Sequence, residues 1–275
     1  MARFVPDIMS HRWVIISPQR LSRPSGAKHS KATCPFCEGN ESKTPPEVAR
    51  YGGGEKDKSG WQVRVIPNKY PITDFHEVVI HSKSGMAHLA DQPIENVKLI
   101  LSAYRDRYNF YKKQGQVLIF SNHGLKAGAS LEHPHSQLVV LPFQINLDTL
   151  TRESQYNIVT EKNDFIAYCP DFSQWPYELW IVPKQTGTVF GAITDREIEN
   201  LAPILQWGVR SMERIYKKNE ESAAGFSYNF YIYPRESWYI RLIPRFIHRA
   251  GFELGTGLSV NIVDPKDAAD EFRKG

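Results

Sequence analysis

Apolar positions along the chain fall into two successive runs that share an order of periods. In the first, Phe75-His76-Glu77-Val78-Val79-Ile80 is short and β-branched, which predicts a strand. Ile94, Val97, Leu101, Tyr104, Tyr108 and Tyr111 then recur at alternating three- and four-residue steps, predicting a helix over about residues 92–113. Strands are expected next over 117–121 and 131–142, the last one stopped by Pro142. The second run opens with Tyr177-Glu178-Leu179-Trp180-Ile181-Val182. Its helix starts at the capping box Thr194-x-x-Glu197 and lines up Ile198, Leu201, Leu205, Met212 and Ile215. Strands over 226–233 and 237–243 complete it. Both helices end Tyr-Lys-Lys, a basic end that suits the helix dipole. Pro203 inside the second helix is expected to kink it.

This repetition, with a period of about 100 residues, predicts an α+β fold of two duplicated halves, 1–150 and 151–275. Their sheets should be largely antiparallel, share one core and carry the helices outside. The Pro-, Gly- and charge-rich stretch 43–61, with Gly52-Gly53-Gly54, reads as a mobile surface loop.

Composition narrows the function classes. With 275 residues, 41% hydrophobic and 23% charged, the chain is that of an ordinary globular protein able to bury a full core. A net charge of +4, from 34 basic and 30 acidic residues, is too balanced for a nucleic-acid partner but suits a small anionic substrate. No apolar run approaches the roughly 20 residues that span a bilayer. The N-terminus carries no signal-peptide apolar core. Three cysteines do not make a disulfide framework, so a cytoplasmic protein is expected.

Candidate chemistry concentrates at Asn122-His123-Gly124, Gly128-Ala129-Ser130 and His133-Pro134-His135-Ser136-Gln137. On a strand, His133, His135 and Gln137 would project from one face. A neutral imidazole attacks phosphorus without needing a base, and a small Gly/Ser/Asn loop can offer amides to a phosphate. Nucleotidyl transfer through a histidine adduct is the first reading. His-x-His is also a metal-ligand spacing, and two ordinary surface histidines are a third possibility. The absence of histidines at Ser237-Trp238-Tyr239-Ile240-Arg241 implies one active centre per chain. Cys34-Pro35-Phe36-Cys37 suggests a structural zinc site rather than a redox pair, because Glu38-Gly39-Asn40 follows as a loop. His133 and either His88 or His81 could complete it. Arg20 and Arg23 could clamp a diphosphate or be solvated; Asn68 could hold a nucleoside or form a turn. The run 250–257, with Glu253, reads as a loop suited to sugar hydroxyls, or as a hairpin.

Taken together, these segments resemble the galactose-1-phosphate uridylyltransferase family, the transferase branch of the histidine-triad superfamily. The carriers are Ser-Pro-x-Arg-x-x-Arg-Pro, Cys-Pro-Phe-Cys, Pro-Asn-Lys-Tyr-Pro, His-Glu-Val-Val-Ile, Gly-Ala-Ser-x-x-His-Pro-His-Ser-Gln and Ala-Gly-Phe-Glu-Leu-Gly-Thr-Gly. Asp267 to Arg273 is similar to the family's final helix. The resemblance implies histidine-triad-like halves, a homodimer, zinc and a place in galactose metabolism. It implies that His135 is the nucleophile, that Gln137 holds the transferred phosphoryl group, and that Asn122, Gly128 and Ser130 hold phosphates. Asn68 matches a nucleoside contact. Arg20, Arg23 and the Glu253 segment match pieces contributed by the partner subunit. The substrates implied are a nucleotide sugar and a sugar 1-phosphate, with UDP-glucose–hexose-1-phosphate uridylyl transfer leading. A nucleotide-sugar (for example ADP-glucose) or dinucleoside-polyphosphate phosphorylase is the alternative. Three departures from the family stand out. Gly85 stands where a zinc-ligating histidine is expected, Ser237 and Tyr239 replace second-metal histidines so that no iron is expected, and Phe252 replaces a tyrosine found in some members.

Overall fold

The computed structural model describes residues 2–7, 12–23, 34–85, 88–145, 147, 156–219 and 225–274. The expected division near residue 150 lies outside them. A hairpin of β1 (Arg3–Pro6) and β2 (Trp13–Ile16) stands apart from a ten-stranded sheet. The sheet contains β3 (Ala49–Gly52), β4 (Trp61–Pro67), β5 (His76–Ile80), β6 (Gln116–His123), β7 (His135–Leu141), β8 (Ile158–Lys162), β9 (Phe165–Tyr168), β10 (Leu179–Pro183), β11 (Tyr228–Ile232) and β12 (Ile240–Pro244). Their order is β3-β4-β5-β7-β6-β11-β12-β10-β9-β8, and every described pairing is antiparallel. Read inward from either edge, the succession is the same, and the two halves meet where β6 pairs β11. The fold class is α+β, as the two apolar runs predict.

Helices α1 (Ile94–Tyr111) and α2 (Asp195–Asn219) cover one face of the sheet. Val97, Leu101 and Tyr104 of α1 join Ile198, Leu201, Leu205 and Met212 of α2 over the inward residues of the strands in one large core. Burial of this apolar face, rather than helix propensity, stabilises both helices. Thr194 and Glu197 form the expected capping box. The helix α2 runs unbroken through Pro203, whose ring is exposed, so the carbonyl that loses its partner can be solvated. The final helix α4 (Pro265–Arg273) is present as expected and buries Phe272.

Two expectations are corrected. The stretch 43–61 is not simply a loop: Ala49–Gly52 is a strand of the sheet. Buried Arg64 is the cause, since its guanidinium takes Glu47 (2.7 Å) and Asp57 (2.9 Å) as counter-charges and ties the segment down. The run 250–257 is neither loop nor hairpin but helix α3 (Gly251–Thr256), in which the Glu253 carboxylate accepts the Ala250 N–H.

Candidate active site

The strand β7 begins at His135, later than the sequence pattern predicts, so His133 precedes it and its ring turns away. His135 and Gln137, two residues apart, share the face opposite the helices and line a pocket of about 280 Å3. Phe36, Ile66 and Val78 form an apolar wall, while Arg23, Lys43 and Lys69 bring three cations to its lining, which includes no carboxylate among the described residues.

His135 is 7% exposed. Its Nδ1 lies 2.7 Å from the His133 carbonyl, which can only accept. The proton therefore sits on Nδ1, and Nε2 keeps its lone pair. Burial lowers the pKa of His135, the His133 hydrogen bond opposes this, and Arg23 lowers it further. The ring is held neutral and nucleophilic.

The loop between β6 and β7 is shaped by two glycines at positive φ. A Cβ on Gly124 (φ +81) would meet Ser227 Oγ at 2.2 Å, so only glycine passes there. Gly128 (φ +77) donates its amide to Leu125 O, and Ala129 donates to Gly124 O. Those amides are used in the turn, so Gly128 shapes the loop here. Ser130 emerges from it, and its Oγ accepts from Arg23 Nη2 at 2.8 Å. Arg23 thus reaches the pocket of its own chain, although the resemblance implied the partner's pocket. Arg20 does not line it; it donates to Tyr70 O (2.9 Å) and secures the turn that carries Asn68. Asn122 faces the other side of the His135 ring. Its Oδ1 accepts from Asn229 of β11, which also donates to Ala127 O, leaving the Asn122 Nδ2 as the donor it presents. Glu253 is part-exposed and lies outside the pocket lining.

Cys34, Cys37 and His133 place their ligand atoms within 4.8 Å of one another. His133 donates from Nε2 to Ser82 O (2.8 Å), so Nδ1 carries the lone pair facing the thiols. Its distances to the two sulfurs are 3.4 and 3.6 Å. A zinc ion bound tetrahedrally by sulfur and nitrogen requires about 3.5 Å between those ligands. These three residues fit zinc. His88 is not brought to them: its Nδ1 accepts from Ala90 N, and its Nε2 faces Asp91 and Glu213. His81 is also elsewhere, against Ser136 and Tyr104. Gly85 is the residue that abuts the cluster, where an added Cβ would lie 3.3 Å from His133 Nδ1.

Three features at the site carried no sequence signal as functional residues. Phe36 appeared only as filler between cysteines, yet its ring packs edge-on against His133 and His135. Asn229 lies more than a hundred residues from the loop it braces. His76 read as a strand residue, but it contacts Gln137.

Comparison with known proteins identifies similar chains. Residues 19–143 match the model of an N-terminal domain of unknown function, DUF4931. The chain is 27% identical to an ADP-glucose phosphorylase of Arabidopsis thaliana, over 98% of this chain and 91% of that one. It is 24% identical to a galactose-1-phosphate uridylyltransferase of Thermotoga maritima, over 97% of this chain and 96% of that one. A crystal structure of an ADP-glucose phosphorylase from Arabidopsis thaliana with bound ADP-glucose superposes with a TM-score of 0.77 at 26% identity, covering 100% of this chain and 99% of that one. Among the described residues, no helix is long and apolar enough to cross a membrane.

Proposed function

We propose, for a chain that belongs to the galactose-1-phosphate uridylyltransferase family and is a nucleotidyltransferase-type enzyme, that His135 transfers a nucleotidyl group from a nucleotide sugar through a covalent adduct. The observation that carries this reading is the 2.7 Å contact of Nδ1 with the His133 carbonyl, which leaves Nε2 unprotonated at the pocket. Nε2 attacks the α-phosphorus, the bond to the bridging oxygen breaks, and sugar 1-phosphate departs with the electron pair. The adducted ring keeps its Nδ1–H on the carbonyl and carries the positive charge. An acceptor oxygen then attacks phosphorus, and His135 leaves as neutral imidazole. Gln137, Ser130, Arg23 and Asn122 hold the phosphoryl oxygens, where a single well-placed donor is worth about 2.7–4 kcal/mol. The nucleobase lies along Phe36 and Val78, with Asn68 on the nucleoside. Cys34, Cys37 and His133 would hold zinc as a structural ion, fixing Phe36 against the start of β7. The first half of the chain, 1–150, carries this chemistry; the second, 151–275, is a copy of the unit without it.

The donor and acceptor pair is ADP-glucose with phosphate, the phosphorylase alternative of the sequence reading. The Arabidopsis relative's name, together with alignment over nearly all of both chains, supports it. Uridylyl exchange between UDP-glucose and a hexose 1-phosphate is the second reading, supported by the Thermotoga relative. Incubation with ADP-glucose should leave an adenylyl mass on the peptide holding His135, released as ADP by phosphate. Faster turnover of UDP-glucose with galactose 1-phosphate would select the second reading. Absence of any adduct with ADP-, UDP- or GDP-glucose would overturn both.

A further inference from the structure

Gln137 can serve the transferred phosphoryl group only if its amide presents nitrogen, not oxygen, to the pocket. Two backbone amides settle that choice. Ile72 N–H donates to His76 Nδ1 at 2.8 Å. A backbone N–H cannot accept, so Nδ1 is unprotonated and the ring proton sits on Nε2. That nitrogen lies 3.0 Å from Gln137 Oε1 and donates to it. Likewise Tyr70 N–H donates to Asn68 Oδ1 at 2.8 Å, which turns Asn68 Nδ2 toward the same Gln137 oxygen at 3.4 Å. The 3.1 Å approach of Asn68 Nδ2 to His76 Nε2 is two donors converging on one acceptor. With Oε1 occupied, Gln137 presents Nε2–H2 to the pocket. His76 is 4% exposed and does not line the pocket. Burial, helped by Arg20 and Arg23 and opposed by the Gln137 bond, pushes its pKa to about 3, so the donor pattern persists across working pH.

We propose that His76 is a positioning residue that fixes the rotamer of the Gln137 amide by carrying the constraint from the Ile72 backbone N–H to Gln137 Oε1. This rests on the histidine-adduct reading above. The step it serves is unchanged; only the orientation of one donor depends on it.

The test compares wild type, His76→Phe and His76→Gln, each also in a Gln137→Ala background, by steady-state kinetics and adduct formation with whichever nucleotide sugar the wild type turns over. His76→Phe should lower kcat by about 10- to 100-fold, as loss of an orienting partner does, with KM nearly unchanged. His76→Gln can accept from Ile72 and donate to Gln137, so it should recover most of that loss. In the Gln137→Ala background His76→Phe should cost little more. An equal cost in both backgrounds, or no recovery with glutamine, overturns the proposal. Nitrogen-15 histidine spectra of the resting wild type read the tautomer directly, independent of whether the variants fold. A protonated Nδ1 on His76 would also overturn it. A wild type that forms no adduct but shows the Nε2–H tautomer would count against the transfer reading and leave the hydrogen-bond constraint standing.

Discussion

The strands β7 and β12 occupy matching places in the sheet, each flanked by the corresponding pair of neighbours, yet their outward faces differ completely. On β7, His135 and Gln137 open onto a cavity, with neutral polar groups aimed into it. On the β12 side, the same face is filled. Trp180 stacks on Tyr239 at 4.0 Å and Tyr239 on Tyr233 at 4.9 Å. Glu178 and Arg241 pair at 2.7 and 2.8 Å and bury both charges. One scaffold therefore yields an open cavity or a packed face according to what fills it. Unpaired buried polarity is costly. The first half tolerates it because His135 and Gln137 are neutral and braced, His135 by the His133 carbonyl and Gln137 by His76 and Asn68, and the second half removes it by ion pairing and aromatic packing.

The comparison can be broken most directly at its centre. Replacing His135 with glycine should eliminate the nucleotidyl adduct and turnover, measured by intact-protein mass and product assay, whereas Tyr239→Phe should leave both near wild type. Turnover surviving at position 135 would remove the contrast. Next, Gln137→Ala should lower kcat by about 100- to 1,000-fold, the usual cost of one transition-state donor. Arg241→Ala should act in the opposite sense, on stability alone. Stranding buried Glu178 should cost about 3–5 kcal/mol in denaturant unfolding while leaving kcat per folded molecule intact. A large drop in kcat would mean that the packed face also takes part.

Smaller effects concern metal and pH. Elemental analysis should find one zinc per chain, lost in Cys34→Ser with a lowered Tm, and Gly85→Ala should perturb its binding through contact with His133. Acid should act through the buried imidazoles. Burial lowers His76 to about 3 and His123 to about 4, so in the folded state they resist protonation. The unfolded chain takes up protons near the ordinary value of about 6.5. Stability is thus full above that value and falls as pH drops from about 6.5 toward 4. The loss should not exceed about 1.4 kcal/mol per pH unit for each ring. An unfolding free energy flat across this window would contradict neutral burial. His135 should keep its transfer activity below the usual histidine range for the same reason.

Much of this protein was legible in residue order. The positions of α1 and α2 followed from Val97, Leu101, Ile198 and Leu205, because period and core face are local properties. His135 and Gln137 were recognisable as a pair because alternation on a strand puts them on one face. The absence of histidine near Tyr239 already separated the two halves. Other features were not readable. Arg64 drew Glu47 and Asp57 into a buried network and turned an expected loop into β3. His88 was directed toward Glu213, and Gly85 was left beside His133. Such outcomes depend on partners far away in sequence.

By itself the sequence determined the periods, the places of the two long helices and the residue kinds able to do phosphorus chemistry, because those are set by neighbours a few positions apart. Tertiary structure alone decided which nitrogen of His135 is free, which end of the Gln137 amide faces the pocket, and which of two equivalent faces is hollow. Each depends on donors and acceptors brought within about 3 Å of one another, a distance that only the folded backbone sets.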